Sequence, residues 1–327
     1  MNSKPSYPTA EERKLPRQMF VVYLIIALIF ALTATAQAGK TPFSRIIAFG
    51  DSLTDTGNFH EITGIPPAPY FEGRFSNGRI WVEHLADRLG MEVTPADNYA
   101  VGGATTGRDN ENDIPGVFEF PGLQDELDLF TARLQGGAAD PDALYIIWAG
   151  ANDFFVATGT PAQTIASGVG NTVVAVQRLR SLGARHIMVV NLPDLGLTPL
   201  GISSGTGASL SFVCAAYNGY LNQALDQLAG FGIPTIRLDS FTFLRALVAN
   251  SPANGFSNVT DAYTSTGGDP AGFLFWDVVH PTTEAHELLA DTAVQSLVDY
   301  YSPRQGHGQG RGLVNSLNGL VPAAARP

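Results

Sequence analysis

The chain has 327 residues, 45% of them hydrophobic and only 15% charged, with 19 Lys and Arg against 30 Asp and Glu for a formal net charge of −11. That length buries a full core as one large or two small domains, and the acidic balance leaves no basic surface to neutralise phosphates, which excludes an ordinary nucleic-acid binder. The single cysteine rules out an internal disulfide and Cys-based zinc or iron–sulfur sites.

The first segment reads as a targeting signal. Lys4, Arg13, Lys14 and Arg17 precede an uncharged apolar run from Met19 to Leu32, which is followed by Ala36-Gln37-Ala38. This is the n-region, h-region and A-x-A order of a secretory signal peptide, and it predicts cleavage after Ala38. The run is too short for the ~20 residues of a membrane span. No cysteine follows it at a lipoprotein site. Removing residues 1–38 leaves 15 basic against 28 acidic residues, a net of −13. Such a mature chain is expected to be secreted or periplasmic, with no stable insertion in the membrane.

Beyond residue 38, apolar runs alternate with helical patterns. A strand is predicted at Arg45–Phe49, stopping at Gly50, and a helix at Ile80–Leu89. Met91–Val93 is a short strand candidate. A helix follows at Leu123–Leu134, then a buried strand at Ala143–Trp148. The 3–4 spacing of Ile165, Val169, Val173, Val176 and Leu179 predicts a helix over Pro161–Leu182. Next come a strand at His186–Val190, a helix at Ala208–Leu228, a fifth strand at Ile233–Leu238 and a last helix at Thr283–Tyr300. This alternation predicts an α/β fold with a parallel sheet over residues 39–301. Residues 302–327, rich in Gly and Pro and poor in aromatics, read as a disordered tail. Three long connections, Thr56–Asn77, Thr106–Gly122 and Asn250–Phe275, lack periodicity, and long loops of this kind usually serve function.

Four segments carry residues suited to chemistry. In Phe49-Gly50-Asp51-Ser52-Leu53-Thr54-Asp55, Ser52 follows the first strand, where a hydroxyl can face solvent beside a helix start; an ordinary turn with a capping Ser or Asp fits equally well. The paired glycines Gly102-Gly103 let backbone approach a ligand and aim an N–H at an oxyanion, or simply make a tight turn. Asn152, after the strand ending at Trp148, offers a neutral amide donor at the same sheet edge, or caps a turn. In Trp276-Asp277-Val278-Val279-His280-Pro281, a carboxylate three residues before an imidazole can fix its tautomer so that it accepts a serine proton; the alternative is a surface His beside a Pro turn. His60, in the first long connection, is the rival base. Asp51, Asp55 and Asp153 lack a recognised metal-ligand spacing and read as turn-stabilising groups. Cys214 lies in an apolar helical stretch and reads as a buried, inert thiol.

Taken together and in this order, the four segments resemble the GDSL lipase/esterase family, the SGNH hydrolases, from about Arg45 to Tyr300. Gly73-Arg74-Phe75-Ser76-Asn77-Gly78-Arg79 and Asn191-Leu192-Pro193-Asp194 are similar to stretches of its longer members. The resemblance implies a flavodoxin-like three-layer α/β/α sandwich with about five parallel strands. It implies a catalytic triad of Ser52, Asp277 and His280, and an oxyanion hole from the Ser52 amide, Gly103 (with Gly102 as the alternative register) and Asn152. It further implies hydrolysis of carboxylic esters through an acyl-enzyme, without metal or organic cofactor, on a small-molecule or lipid ester. Gly50-Asp51-Ser52-Leu53-Thr54 has Thr where a G-x-S-x-G elbow has its second Gly, which argues against an ordinary α/β-hydrolase. Loop aromatics (Phe59, Tyr70, Phe71, Phe118, Phe120, Phe256, Phe273) are expected to wall an apolar groove for an acyl chain. Two other functions use the same residues or fold: acyl transfer to an acceptor other than water, and a non-catalytic surface-binding protein. Oligomeric state, acyl length and alcohol type are left open by the sequence.

Overall fold

Four strands form the central sheet: β1 (Ile46–Gly50), β2 (Leu144–Trp148), β3 (His186–Val190) and β4 (Ile236–Leu238). They are parallel, in the order β1-β2-β3-β4, with Gly50 opposite Trp148 and Val190 opposite Leu238. The structure, a computed structural model, describes residues 43–267 and 269–302. The expected leader at 1–38 and nearly all of the expected tail at 302–327 lie outside the described residues.

The strands read as continuous apolar runs because helices cover both faces of the sheet. Successive side chains alternate between two cores. Ile47, Phe49, Tyr145, Ile147, Ile187 and Val189 face one side, where they meet α3 (Leu123–Arg133), α5 (Pro161–Leu182) and α7 (Gly207–Gly230). Ile46, Ala48, Leu144, Ile146, Met188 and Val190 face the other, against α2 (Trp81–Leu89) and α10 (Thr283–Tyr301). A one-residue slip in any strand would exchange these sets, so burial on both faces fixes the register.

The expected strand at Met91–Val93 is not formed. Pro95 cannot donate to a ladder, and the chain turns there before pairing. Asn98 makes a single parallel bridge to Ala48, with Tyr99 N–H donating to Ala48 O at 2.8 Å and Val101 N–H to Gly50 O at 2.9 Å. This stub occupies the fifth position, outside β1. The chain therefore leaves β1 toward one side and reaches β2 on the other, which makes the carboxyl ends of β1 and β2 the topological switch point, where open α/β sheets bind ligands.

The third long connection holds elements that periodicity missed. The helix α8 (Ser240–Ala249) precedes it, and inside it β5 (Asn258–Ala262) and β6 (Phe273–Phe275) pair as a small parallel sheet around α9 (Tyr263–Thr266). Residues 276–281 double back on β6: Trp276 N–H donates to His280 O at 2.8 Å and Thr282 N–H to Leu274 O at 3.0 Å. The first long connection contains α1 (Asn58–Thr63); α4 (Asp153–Val156) follows β2, and α6 (Pro199–Ser203) precedes α7.

Candidate active site

The serine turn starts where β1 ends. Gly50 has φ +139°, and a Cβ there would lie 1.9 Å from Trp148 O, so only glycine lets the chain pass the neighbouring strand. Asp51 N–H then donates to Trp148 O (3.1 Å), and the amides of Thr54 and Asp55 close a turn on Asp51 O. Ser52 sits in this turn, partly exposed, above the sheet edge.

Its hydroxyl meets His280, 228 residues away. The Ser52 Oγ to His280 Nε2 distance is 2.8 Å, and His280 Nδ1 lies 2.9 and 2.8 Å from the two carboxylate oxygens of Asp277. Asp277 is held by three more donors: the amides of Val279 (2.9 Å) and His280 (2.8 Å), and the Tyr70 hydroxyl (2.9 Å). The Phe75 ring lies 5.0 Å from the imidazole. Segment 73–79 also clamps the loop: Ser76 Oγ donates to Pro281 O at 2.9 Å, and Asn77 Oδ1 accepts Thr283 N–H at 2.8 Å.

Burial alone would lower the basicity of His280, but the Asp277 carboxylate, by charge and hydrogen bond, outweighs it and raises the imidazole above its ordinary value. Burial would raise Asp277; the facing His280 charge and the hydrogen bonds it accepts hold it at about 2. Asp51, fully buried beside the serine, is pushed by burial up to about 7.

The glycine loop lines the same cavity as Ser52. Gly102 N–H is used, donating to Asp55 Oδ2 at 2.8 Å. Among the described residues, no group accepts the N–H of Gly103 or of Ser52. Gly103 has φ +84°, and a Cβ there would lie 2.2 Å from Asn112 Nδ2 and 2.4 Å from Asn110 Oδ1, so the loop admits only glycine. Asn152 Nδ2 gives one N–H to Ala104 O (3.0 Å) and keeps a second. Its neighbour Asp153 accepts Thr106 N–H at 2.8 Å and the Thr106 hydroxyl, so the exit of β2 is tied to the glycine loop at two points. Ser52, Gly103, Asn152 and His280 line one cavity of about 310 Å³.

Two buried carboxylates lie under this arrangement: Asp55, one of the predicted turn-stabilising groups, and Glu126, which is not among the predicted site residues. Asp55 accepts from Gly57 (2.7 Å), Asn58 (2.6 Å), Phe59 (3.0 Å) and Gly102. Glu126 accepts Gly50 N–H at 2.8 Å and Val101 N–H at 3.2 Å, joining the strand end to the glycine loop. Burial raises both above the ordinary carboxylate range. Glu126 lies on the same helical face as Leu123, Leu127 and Phe130, and a charged residue on an apolar stripe is the signal that marks it. Tyr70 carried no such signal.

The aromatic expectation is corrected. None of the seven loop aromatics lines the cavity. Phe59 and Phe120 pack with Val101 in a separate cluster, Phe118 rests on Phe120, and Phe256 is in the core around α8. Phe71 lies under Arg74, Phe273 against Tyr263, and Tyr70 bonds to Asp277. They pin the long loops down. The cavity's apolar lining comes instead from aliphatic residues of α8, β6 and α10 together with Phe75, Trp148, Phe155, Phe243 and Phe275. His60 packs on Gly73, with Nδ1 buried and unpartnered, whereas Nε2 of His280 meets the serine. Burial pushes the Cys214 thiol up to about 11. No group of three or more His, Cys, Asp or Glu among the described residues is placed to hold a metal ion, and no helix among them is long and apolar enough to cross a membrane.

The family described as GDSL-like Lipase/Acylhydrolase matches residues 46–293. A phosphatidylcholine-sterol acyltransferase of Aeromonas hydrophila is 31% identical, covering 83% of this chain and 95% of that protein. The GDSL esterase/lipase At1g73610 of Arabidopsis thaliana is 26% identical, over 86% of this chain and 96% of its own. Among solved structures, the carbohydrate acetylesterase Est24 of Sinorhizobium meliloti is similar with a TM-score of 0.46 and 19% identity, covering 78% of this chain and 98% of that one.

Proposed function

The chain belongs to the GDSL-like lipase/acylhydrolase family and is a carboxylic ester hydrolase; we propose that Ser52 is its nucleophile, His280 its general base and acid, and Asp277 the group that orients His280. The observation that carries this reading is the unbroken chain of hydrogen bonds from Ser52 Oγ through the imidazole to a carboxylate with three other donors.

In this mechanism Nε2 of His280 takes the Ser52 proton as Oγ attacks the ester carbonyl. Asp277 keeps the remaining imidazole proton on Nδ1 and stabilises the imidazolium. Negative charge develops on the carbonyl oxygen, and the donors placed for it are the unspent amides of Ser52 and Gly103 and the second Nδ2 hydrogen of Asn152. The Gly103 register is favoured over Gly102 because the Gly102 N–H is already committed to Asp55. His280 then protonates the leaving alcohol, and a water repeats the sequence on the acyl-enzyme. No step in this scheme calls for a metal or an organic cofactor.

The same acyl-enzyme can pass its acyl group to an alcohol, and the acyltransferase of Aeromonas hydrophila is the observation that favours this second reading. Export with removal of residues 1–38, to the periplasm or the medium, completes the proposal, and its support is the leader pattern alone. The test is turnover of acetyl and butyryl esters by the mature chain with Ser52→Ala as blank, run with and without added alcohol. Burst release of alcohol and a trapped acyl-Ser52 are expected. Wild-type turnover by Ser52→Ala would overturn the assignment.

A further inference from the structure

The cavity that opens on Ser52 and His280 holds a carboxylate that the mechanism leaves unused. Glu111 lines it together with Gly103 and Asn112. Its backbone is fixed against the glycine loop, with Glu111 N–H donating to Gly103 O at 2.9 Å. The preceding Asn110, 2% exposed, donates its side-chain amide to Gly102 O (3.1 Å) and Pro121 O (3.0 Å). Asp113 accepts the N–H of Asn110 (2.8 Å) and of Phe120 (2.7 Å), which closes the loop at its base. The Glu111 side chain itself is exposed and has no hydrogen-bond or ion-pair partner among the described residues. None of the residues that line the cavity is Lys or Arg, and its other ionisable side chains are Asp51 and His280. The imidazole is neutral when it acts as a base. The resting cavity therefore carries negative charge with no fixed cation against it, and its low-dielectric walls focus that field.

We infer that Glu111 is a charge filter for this site: it selects neutral or cationic esters over anionic ones and drives out the carboxylate that hydrolysis produces. This rests on the hydrolase reading above and adds to it the charge class of the substrate. When water attacks the acyl-enzyme, its OH joins the acyl carbon, the bond to Ser52 Oγ breaks, and its other proton returns to Ser52 through His280. The acid then ionises to solvent, so an anion appears where a neutral ester had been. The donors that serve the transition state, on Ser52, Gly103 and Asn152, also hold that anion, and Glu111 opposes them. The size of the effect follows from Coulomb's law. For charges about 7 Å apart at an effective dielectric constant of about 40–80, one unit charge changes binding roughly threefold to sevenfold. A cationic and an anionic ester of one shape thus differ roughly tenfold to fiftyfold in kcat/KM.

The test uses three butyrate esters on the mature chain, with alcohols matched in shape: a trimethylammonioethyl ester, its uncharged tert-butylethyl isostere and a sulfoethyl ester. Wild-type kcat/KM should favour the cation over the anion at least tenfold. Glu111→Gln keeps the shape and removes the charge; it should cut that preference at least threefold and lower the Ki of butyrate at least threefold. Glu111→Lys should invert the preference, which keeps the test in force if Glu111→Gln does not fold. Thermal transitions report folding of both. Two readouts separate charge from shape. Salt at about 1 M, where the screening length is ~3 Å, should bring the wild-type preference down toward that of Glu111→Gln. Glu111 also acts with Asp277 and Asp51 to raise the His280 pKa against burial, while burial holds His286 of α10 at about 3 and so neutral. The kcat/KM midpoint for the uncharged ester should therefore move to lower pH in Glu111→Gln. Glu119→Gln, exposed on the same loop but outside the cavity lining, should leave the preference at its wild-type value. A wild-type preference under tenfold, a fall smaller than threefold in Glu111→Gln, or an equal fall in Glu119→Gln overturns the charge filter while leaving the hydrolase reading intact. Absence of Ser52-dependent turnover of all three esters overturns the two together.

Discussion

Replacing Asp55 with Asn changes one oxygen to an NH₂ and almost no volume, so its effect reports hydrogen bonding alone. Asp55 faces four backbone donors: Oδ1 accepts from Gly57 and Asn58, and Oδ2 from Phe59 and Gly102. No acceptor faces it, so only the carboxylate satisfies all four. In Asp55→Asn one oxygen remains and the NH₂ opposes two N–H groups. Hydrogen bonds to a charged group contribute about 1.5–3 kcal/mol each, so losing two costs about 3–6 kcal/mol. For a domain of this size that lowers Tm by roughly 6–24 °C. If the retained oxygen stays on Gly57 and Asn58, at the start of α1, Gly102 is the group pushed away, and Gly103 moves with it. Loss of one oxyanion donor lowers kcat by about 10²–10³. The expected result is therefore a joint loss, in Tm by circular dichroism and in kcat on a short-chain ester, with KM changed much less. A variant with Tm within about 2 °C and kcat within about twofold of wild type would refute the view that Asp55 holds the glycine loop in place.

Ser52→Ala and His280→Ala should each lower kcat on the order of 10⁶, with the double variant no worse, because the two act as one unit; Asn152→Ala should lose about 10²–10³. Steady-state kinetics on folded variants decides this, and additivity of the first two would contradict it. Activity should be lost as pH falls through the His280 pKa, since imidazolium cannot accept the serine proton. Asp277 raises that value, so the midpoint of kcat/KM should lie above the ordinary histidine value of about 6.5 and move down in Asp277→Asn. A profile that rises toward acid would refute the base assignment. Exported protein should begin at or near Gly39 by N-terminal sequencing, and a full-length membrane-embedded product would contradict the leader reading. His60→Ala should change kcat less than about twofold in the same assay, and damage equal to that of His280→Ala would reopen the choice of base.

Much of the fold was legible in the sequence because it rests on local patterns. The runs at 46–50 and 144–148, and 186–190 after His186, are apolar, as strands covered on both faces must be, and α5 and α10 carry their stripes at helical spacing. Ser52, Gly103, Asn152, Asp277 and His280 each have an ordinary turn, cap or surface reading when taken alone, and they are singled out by the order of the four segments and the family that order resembles. Other elements escaped: β5 is mostly polar and little buried (Asn258, Thr260, Asp261), β6 has only three residues, and Pro95 displaced the expected edge strand to a single bridge at Asn98. What only the tertiary structure decided is which groups meet across long separations. Tyr70 reaches Asp277 over 207 residues and Glu126 reaches Gly50 over 76, and neither partner is written in local spacing. The cavity lining followed the same rule. The seven loop aromatics look like a groove when read in one dimension, but in three they pack elsewhere and hold the loops, and the cavity is lined by Phe75, Phe155, Phe243 and Phe275 and by leucines whose helical stripe looks like any core. A hydrophobic pattern specifies that a face is covered; only packing specifies whether protein covers it or leaves room for a substrate.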